Sequence, residues 1–284
     1  MKKAKFIRQM YRLSNQIEEV ILQHGTRGMS QLRQHMQPGY CERAAQLILE
    51  NRGVTLVGTG FPVSGSFESD GPIGAIALYR VLEHLGHHPL FVCAPPISRI
   101  LARDFETHEL PIADWDESRP IVQQALEELN PSLVVSVERP GITADGRYYN
   151  MRNEDITHFA AKYDLFFESE WCPTIAFGDG GNEIGMGNLY DALGEMDIIP
   201  SVTCCDELVI ATVSNWGVYG VLAILSKRLE EDVFEFIDPK ATIEYLVANG
   251  CVDGVTMRLE HTEDGFPITI GIEIIQQLRK LIFP

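Results

Sequence analysis

Short apolar runs alternate along the chain with longer segments in which apolar residues recur every three or four positions. A short apolar run that ends at glycine or proline is typical of a buried strand, because a strand covered on both faces needs no polar side. The pattern predicts strands at Val54–Val57, Pro89–Ala94, His108–Ile112, Ser132–Val137, Pro173–Phe177 and Leu208–Val213.

The three-to-four spacing predicts helices that pack by one apolar face. A long amphipathic helix is expected over residues 1–24, and a second over Tyr40–Asn51. A hairpin is expected around Asp264-Gly265. The remaining predicted helices are Gly71–Leu85, Ile97–Phe105, Pro120–Leu129, Ile156–Phe167, Asn215–Leu229, Pro239–Asn249 and Ile270–Leu281.

The alternation of apolar strands with amphipathic helices predicts the fold class. It indicates an α/β protein with a mostly parallel sheet covered by helices on both faces, preceded by an N-terminal helical extension. No repeat, low-complexity segment or linker marks a boundary. We therefore expect a single α/β domain over residues 1–284, made of a helical lead (1–52) and a core (53–284).

Charge narrows the functional classes. The chain has 23 basic and 40 acidic residues, a net charge of -17. Nucleic-acid binding needs a basic surface, so a nucleic-acid partner is not expected. A small anionic metabolite would need a metal ion or a local arginine cluster to be attracted. Association into a homo-oligomer is compatible with this composition.

The cysteines and the apolar segments bear on the compartment. Six cysteines occur without a C-x-x-C pair, which fits a reducing environment. The basic N-terminus interleaves charges with apolar residues and lacks the continuous apolar core of a signal peptide. The longest apolar run, Gly217–Leu225, is too short to span a bilayer. We expect a cytoplasmic protein without membrane contact.

Four glycine-containing polar motifs follow predicted strands. They are GTGF (58–61), VERPG (137–141), GDGGNE (178–183) and VSNWG (213–217). The carboxyl ends of parallel strands share one edge of a sheet, and ligands bind there. The four loops therefore predict a site at that edge.

Oxygen-bearing side chains in and near these loops are candidate metal ligands: Asp70, Asp179, Asn182 and Glu183. If a helix begins just after Asp179, its oxygen and those of Asn182 and Glu183 share one face. Because none of the eight histidines lies in the four loops, an oxygen-only site for Mg²⁺ or Mn²⁺ is favoured, and Ca²⁺ is also compatible. The alternative is that Asp70 and Asp179 only cap helices.

Other polar residues of the same regions are candidates for catalysis and substrate binding. Glu138 ends an apolar strand, where it could serve as a ligand or a base, and Asp179 and Glu183 join it as catalytic candidates. An arginine here could hold a carboxylate or phosphate in bidentate fashion. The candidate substrate-binding residues are Arg139, Arg147, Asn150, Ser214 and Asn215.

Missing motifs remove several common classes. G-x-G-x-x-G is incomplete at both glycine loops, and G-x-x-x-x-G-K-[ST] and G-x-S-x-G are absent. These absences disfavour a dinucleotide site, a nucleotide P-loop and the simplest serine hydrolase.

Together the motifs resemble the C-terminal domain of the D-glutamate cyclase family. The matching stretches cover roughly residues 54–256: GTGF, ESDGPIGAIAL, VVSVERPG, ADGRYYNMR, AFGDGGNEIGMGN, CDELVIATVSNWGVYG and CVDGVT. The resemblance implies interconversion of D-glutamate and 5-oxo-D-proline with loss or gain of water. Long members of that family carry an additional N-terminal hydro-lyase-like half, whereas this chain corresponds to the second half plus a helical lead.

Three hypotheses follow. The first is a D-glutamate cyclase-like lyase with a divalent metal ion in an acidic cleft. The second is a divalent-metal phosphohydrolase that uses the same carboxylates, because a metal-bound water could attack a phosphoester. The third is a binding protein for a small metabolite without turnover.

Overall fold

The structure, a computed structural model, describes residues 2–25 and 27–283. Its centre is a sheet of six parallel strands. In chain order they are β1 (Val54–Gly58), β2 (His88–Cys93), β3 (Thr107–Glu109), β4 (Leu133–Val137), β5 (Thr174–Gly178) and β6 (Glu207–Ile210). Their order across the sheet is β3-β2-β1-β4-β5-β6, which confirms the predicted fold class.

This order reverses direction between β1 and β4, and ligands of open α/β sheets bind in the crevice at such a reversal. Val57 pairs with Val135 of β4, and Val137 in turn pairs with Phe177 of β5. The neighbouring strands therefore end within about one residue of each other, and the loops that follow them start from a common edge.

The helices of the described residues flank this sheet. They are α1 (Lys2–Ile21), α2 (Met29–Leu32), α3 (Tyr40–Glu50), α4 (Pro72–His84), α5 (Ile97–Leu101), α6 (Trp115–Leu129), α7 (Asp164–Glu168), α8 (Tyr190–Leu193), α9 (Ser214–Leu229), α10 (Pro239–Ala248) and α11 (Ile268–Ile282). Two short antiparallel pairs lie outside the sheet: Pro62–Val63 with Ser66–Phe67, and Thr262–Glu263 with Phe266–Pro267.

Helix α9 is the centre of the helical layer. Every residue from Ser214 to Ser226 is buried, because α9 packs on the sheet and is covered by α1, α3, α4 and α11. The predicted helical lead thus lies directly on the core, with Ile17 and Ile21 of α1 fully buried. The first residue of the predicted 1–24 helix lies outside the described residues.

Most predicted elements are confirmed with shifted ends. Helix α6 begins at Trp115, five residues before the predicted start at Pro120, because the carboxylate of Asp114 accepts a hydrogen bond from the backbone N–H of Glu117 (2.9 Å) and caps an earlier first turn. The hairpin at Asp264-Gly265 is confirmed, with Glu263 opposite Phe266.

The predicted helix over Ile156–Phe167 is wrong. The segment contains only a 3₁₀ turn at Thr157–Phe159 and the start of α7. Its apolar residues serve two cores: Ile156 packs with Phe61 in a small cluster, whereas Phe166 belongs to the main core. The helical spacing of apolar residues here does not mark one face of one helix.

The helix considered as one arrangement directly after Asp179 does not form. The chain turns irregularly there, with Gly181 at φ 115°. The backbone N–H of Gly141 donates to the carbonyl of Asn182 (2.9 Å), and that of Ile184 donates to the carbonyl of Arg139 (2.9 Å). The loops that follow β4 and β5 are therefore fastened to each other.

Candidate functional site

Three buried carboxylates meet at the edge where the sheet order reverses. One oxygen each of Asp70, Glu138 and Asp179 lies within 4.8 Å of the other two. The residues are only 2%, 4% and 1% exposed. Glu138 directly follows β4 and Asp179 directly follows β5, whereas Asp70 ends the long loop after β1. The edge predicted from the strand-end motifs is therefore where acidic groups converge.

Asp70 caps a helix other than the one expected. Its carboxylate accepts hydrogen bonds from the backbone N–H groups of Ser214 (2.8 Å) and Asn215 (2.9 Å), at the N-terminus of α9. The residue before that helix, Val213, has no side chain that could cap it. An anion at a helix N-terminus is stabilised by the exposed N–H groups and the helix dipole. Asp70 thus joins the β1 loop to α9.

Glycine at position 71 brings this loop close to β4. A Cβ there would lie 2.8 Å from the carbonyl oxygen of Val137 and 2.8 Å from the Cβ of Glu138. Gly71 also has φ 93°, a conformation that favours glycine. This close approach puts the carboxylates of Asp70 and Glu138 in one site.

Glu138 is held in a strained backbone conformation. Its φ is 49°, which costs of order 1–3 kcal/mol for a residue with a side chain and is concentrated at functional sites. Its Oε2 accepts a hydrogen bond from the Ser214 hydroxyl (2.6 Å). Burial raises the pKa of Glu138 well above its ordinary value, and Glu183 and Asp179 raise it further. Burial and the charge of Asp179 likewise raise the pKa of Asp70.

Asp179 has one paired and one unpaired oxygen. Its Oδ2 accepts a hydrogen bond from Nη2 of Arg27 at 3.1 Å, and the same nitrogen pairs with Asp264. Its Oδ1 is buried without a hydrogen-bond partner among the described residues. A buried carboxylate oxygen without a partner is costly, so this oxygen is available to a further ligand such as a cation.

The geometry of the three carboxylates fits a divalent cation. Oxygens bound to one Mg²⁺ or Ca²⁺ at ~2.0–2.6 Å can lie at most ~4–5 Å apart, which matches the observed limit of 4.8 Å. All three donors are carboxylates, the ligand type that these ions prefer. The unpaired Oδ1 of Asp179 supplies a ligand atom with no competing partner.

An open cleft of about 460 Å³ leads to this cluster. Glu138, Asn182, Glu183 and Asn150 line it, together with Arg27. Burial raises the pKa of Glu183 to about 7, and the charge of Asp179 adds to this effect. A carboxyl group with such a pKa can both accept and donate a proton near neutral pH.

The predicted metal ligands are only partly brought together. Asp70 and Asp179 belong to the cluster, and Glu138, predicted as a catalytic group, supplies its third member. Glu183 instead accepts a hydrogen bond from the N–H of Gly181 (2.7 Å), and the amide of Asn182 donates to the carbonyl of Tyr149 (2.9 Å).

Several predicted substrate-binding residues are engaged elsewhere. The buried guanidinium of Arg139 donates to the carbonyls of Thr59 (3.0 Å) and Ala161 (3.1 Å). Arg147 pairs with Asp155 on the surface and does not line the cleft. The placements of Arg139 and Arg147 favour a structural contribution over the predicted substrate contact.

The side-chain amide of Asn215 binds the backbone of the loop after β1 and of the helix that follows it. Its Oδ1 accepts hydrogen bonds from the N–H groups of Gly71 (3.0 Å) and Gly74 (2.7 Å), and its Nδ2 donates to the carbonyl of Ser69 (3.3 Å). The amide therefore holds the chain on both sides of Asp70. Among the predicted substrate-binding residues, Asn150 lines the cleft and Ser214 contacts Glu138.

Sequence reasoning missed four charged residues at the site. Arg27 comes from the helical lead, in a segment that showed only interrupting glycines. Glu68 lies two residues before Asp70 and is 6% exposed. Asp264 and Glu263 come from the C-terminal hairpin. Glu68 and the two hairpin acids could have been noticed because they lie in the short acidic stretches ESDG and HTEDG, each of which ends in glycine. Nothing in the sequence connects Arg27 with the edge of the sheet.

Glu263 contacts the carboxylate cluster indirectly, through Asn215. It is fully buried, and its two oxygens accept hydrogen bonds from Nε1 of Trp216 (2.9 Å) and Nδ2 of Asn215 (2.8 Å). Burial raises the pKa of Glu263 to about 7. Through Asn215, this carboxylate is linked to the loop that carries Asp70.

Comparison with known proteins gives two findings. The family described as "D-glutamate cyclase-like, C-terminal" matches residues 17–279. The human protein named "D-glutamate cyclase, mitochondrial" is 32% identical over 208 residues, which cover 64% of this chain and 34% of the relative. The chain thus matches about a third of the relative's length. The family match begins inside the 1–52 segment, so the division at residue 53 stays a prediction.

The compartment and the assembly also stay predictions. The relative is named as a mitochondrial protein, whereas the cysteines suggested the cytoplasm. Within residues 2–25 and 27–283, no helix combines the length and the apolar character that crossing a membrane requires.

Proposed function

This chain belongs to the D-glutamate cyclase-like, C-terminal family, and from that premise we propose that it interconverts D-glutamate and 5-oxo-D-proline as a metal-dependent lyase. The observation that carries the proposal is the convergence of three buried carboxylates at the reversal of the sheet, one with an unpaired oxygen. A cluster of this kind suits a cation, and the cleft that leads to it suits a small substrate.

The metal ion, Mg²⁺ or Mn²⁺, would be held by Asp70, Glu138 and Asp179. When bound, it would supply positive charge that polarises the γ-carboxyl group of glutamate and offsets the negative charge that develops on its oxygens.

Arg27 is the residue that we assign to the substrate's α-carboxylate. It lines the cleft beside the cluster, and its contacts with Asp179 and Asp264 use Nη2. Its Nη1 has no hydrogen-bond contact among the described residues and can donate a charge-assisted hydrogen bond to an oxygen of the substrate carboxylate. Burial lowers the pKa of Arg27, but Asp179 and Glu138 raise it more, so the side chain stays charged.

Cyclisation also requires proton transfer. The substrate ammonium group loses two protons in all, one before its nitrogen attacks the γ-carbon and one as the lactam forms, and the departing oxygen of the γ-carboxylate gains both before it leaves as water. Glu183 lines the same cleft and has a pKa of about 7, which suits a group that accepts the first proton and returns it. Asn150 also lines the cleft, but its amide is engaged in a local turn: its oxygen accepts hydrogen bonds from the N–H groups of Arg152 (2.9 Å) and Glu154 (3.0 Å), and its nitrogen donates to the carboxylate of Glu154 (2.7 Å).

The test is turnover by the purified chain with Mg²⁺ or Mn²⁺. D-glutamate and 5-oxo-D-proline are each supplied, and both are followed by proton NMR, with L-glutamate as the stereochemical control. We expect interconversion of the D-compounds, and loss of turnover when a chelator is added. A metal-loaded protein that leaves both D-compounds unchanged but cleaves a phosphate monoester would replace the proposal with the phosphohydrolase, and one that turns over neither would favour the binding protein.

A further inference from the structure

Apolar side chains form a large part of the cleft's lining, beside charged residues such as Glu154 and Asp155. Its wall contains Val63, Ile112, Met151, Ile156, Phe159 and Met257. Three of these side chains are unusually exposed for their type: Phe159 by 57%, Met257 by 49% and Ile112 by 39%. They come from three separate segments of the chain, and all three line the same cleft. We refer to these six side chains as the apolar wall.

Glutamate does not explain this wall. A cleft of about 460 Å³ lies in the ~300–1,000 Å³ range of sites that bury drug-sized molecules, which are far larger than an amino acid. Glutamate carries three charged groups. The ion proposed for the carboxylate cluster would bind the γ-carboxylate, Arg27 the α-carboxylate and Glu183 the amine, so none of these groups needs the apolar side chains. Exposed apolar surface that is continuous with a polar site marks a place for an apolar part of the ligand.

The reaction limits where such a part can be attached. The amine must be free because it is the nucleophile, and the α-carboxylate must be free if it pairs with Arg27. The γ-carboxyl group remains. We propose, on the basis of the proposed function, that the preferred substrate class is D-glutamate whose γ-carboxyl group is joined to an apolar amine in an amide bond, with the amine part against the apolar wall.

The reaction of such a γ-amide balances without water or a further reactant. The α-amino nitrogen forms a bond to the γ-carbon, and the bond from that carbon to the amide nitrogen breaks with its electron pair going to the leaving nitrogen. Two protons of the substrate ammonium group move to the leaving amine, which departs as an ammonium ion. The products are 5-oxo-D-proline and the free amine, and no atom changes its oxidation state.

The first measurement compares three compounds with the metal-loaded full chain. They are D-glutamate, its γ-(para-nitroanilide) and its α-(para-nitroanilide), followed by release of nitroaniline and formation of 5-oxo-D-proline. We expect kcat/KM for the γ-anilide to exceed that for D-glutamate by about tenfold or more, because an aromatic ring buried on the wall adds apolar contact. The α-anilide should not cyclise.

The second measurement assigns the effect to the wall. Phe159→Ser should lower kcat/KM for the γ-anilide by about tenfold and change that for D-glutamate by less than about twofold. The matched control is Trp171→Ser, because Trp171 is also an exposed aromatic (39%) but precedes β5, at the opposite edge of the sheet. It should affect neither substrate.

The outcomes separate this inference from the proposed function. Turnover of D-glutamate without faster turnover of the γ-anilide would overturn the inference alone. Equal cyclisation of the α-anilide, or an equal response of both substrates to Phe159→Ser, would overturn the assigned orientation. Turnover of neither D-glutamate nor the γ-anilide would overturn the proposed function together with the inference.

Discussion

The substitution Asp179→Asn tests the metal site most directly, because it removes one charge and almost no volume. In the metal-free protein it abolishes the repulsion with Glu183 and the repulsions with Asp70 and Glu138, whose oxygens lie within 4.8 Å. At an effective dielectric constant of ~20 the repulsions with Asp70 and Glu138 are worth ~3 kcal/mol each when both groups are ionised. It also abolishes the attraction to Arg27 at 3.1 Å, worth ~5 kcal/mol on the same scale. The two effects nearly cancel.

The free energy of unfolding of the metal-free protein should therefore change little. The repulsion is an upper value, since the raised pKa values of Asp70 and Glu138 keep the cluster from being fully ionised. The matched control is Asp206→Asn. Its carboxylate is exposed and accepts hydrogen bonds from the N–H and hydroxyl of Thr174, but it lies at the opposite edge of the sheet.

The metal-bound protein should respond strongly. Changing a residue behind a metal ligand costs ~10–100-fold in affinity, so losing the charge of a ligand should raise the Kd at least ~100-fold. At a Mn²⁺ concentration of 100 times the wild-type Kd, the ion stabilises the wild type by ~2.7 kcal/mol but the variant by only ~0.4 kcal/mol. For a chain of this size these values correspond to rises in Tm of about 5–10 °C and about 1 °C.

The assay is thermal unfolding with and without Mn²⁺, together with calorimetric titration of the ion. If Asp179→Asn retains the wild-type rise in Tm and the wild-type Kd, Asp179 is not a ligand and the reasoning from its unpaired oxygen fails. A large loss of stability in the variant before metal is added would contradict the electrostatic balance instead.

Three further outcomes are expected. Arg27→Met should raise KM for D-glutamate by about 10–100-fold, because charge-assisted hydrogen bonds contribute ~1.5–3 kcal/mol. The affinity for Mn²⁺, measured by titration, should stay equal or rise. An unchanged KM would show that Arg27 does not bind the substrate. Glu263→Gln should lower the free energy of unfolding, measured in urea, by about 1–3 kcal/mol. The new side-chain NH2 group would face an N–H donor of Trp216 or Asn215, so that one buried donor loses its acceptor. An unchanged stability would contradict the observed hydrogen bonds. Because the pKa values of Glu183 and Glu263 are raised from 4.5 to about 7, the native metal-free protein binds more protons than the unfolded chain in that window. Its stability should therefore fall as pH rises from about 4.5 to 7, by up to about 1.4 kcal/mol per pH unit for each group. The raised pKa values of Asp70 and Glu138 act in the same direction. A stability that rises over this window in urea titrations would refute that sign.

The strands were predictable because each is an apolar run that stops at a glycine or a polar residue. Val54, Val137 and Phe177 illustrate this, since each lies at or within one residue of an observed strand end. The order of strands across the sheet was not predictable, because apolar runs such as Leu133–Val137 and Thr174–Gly178 are alike in composition and carry no information on their neighbours.

Part of the site was predictable because strand ends can be recognised in the sequence. Glu138 and Asp179 directly follow strands, so their shared edge follows from a parallel sheet. Arg27 and Glu263 could not be found in this way, because they reach the site through packing of α1 and α11 around α9. The contact of Asp70 with α9 is also tertiary. The sequence offered Asp70 as a metal ligand or as a cap of the helix that follows it, α4, and gave no sign of a contact with α9.

The capping of α9 by Asp70 has a kinetic consequence. The carboxylate and the N–H group of Ser214 are 144 residues apart in sequence, so their contact closes a very long loop and has a high contact order. Such contacts form late in folding, because the entropy of loop closure must first be offset by other interactions. An ion that needs Asp70, Glu138 and Asp179 together should therefore slow unfolding while leaving the refolding rate nearly unchanged. Under the proposed function, binding of the ion would then report that the chain has finished folding.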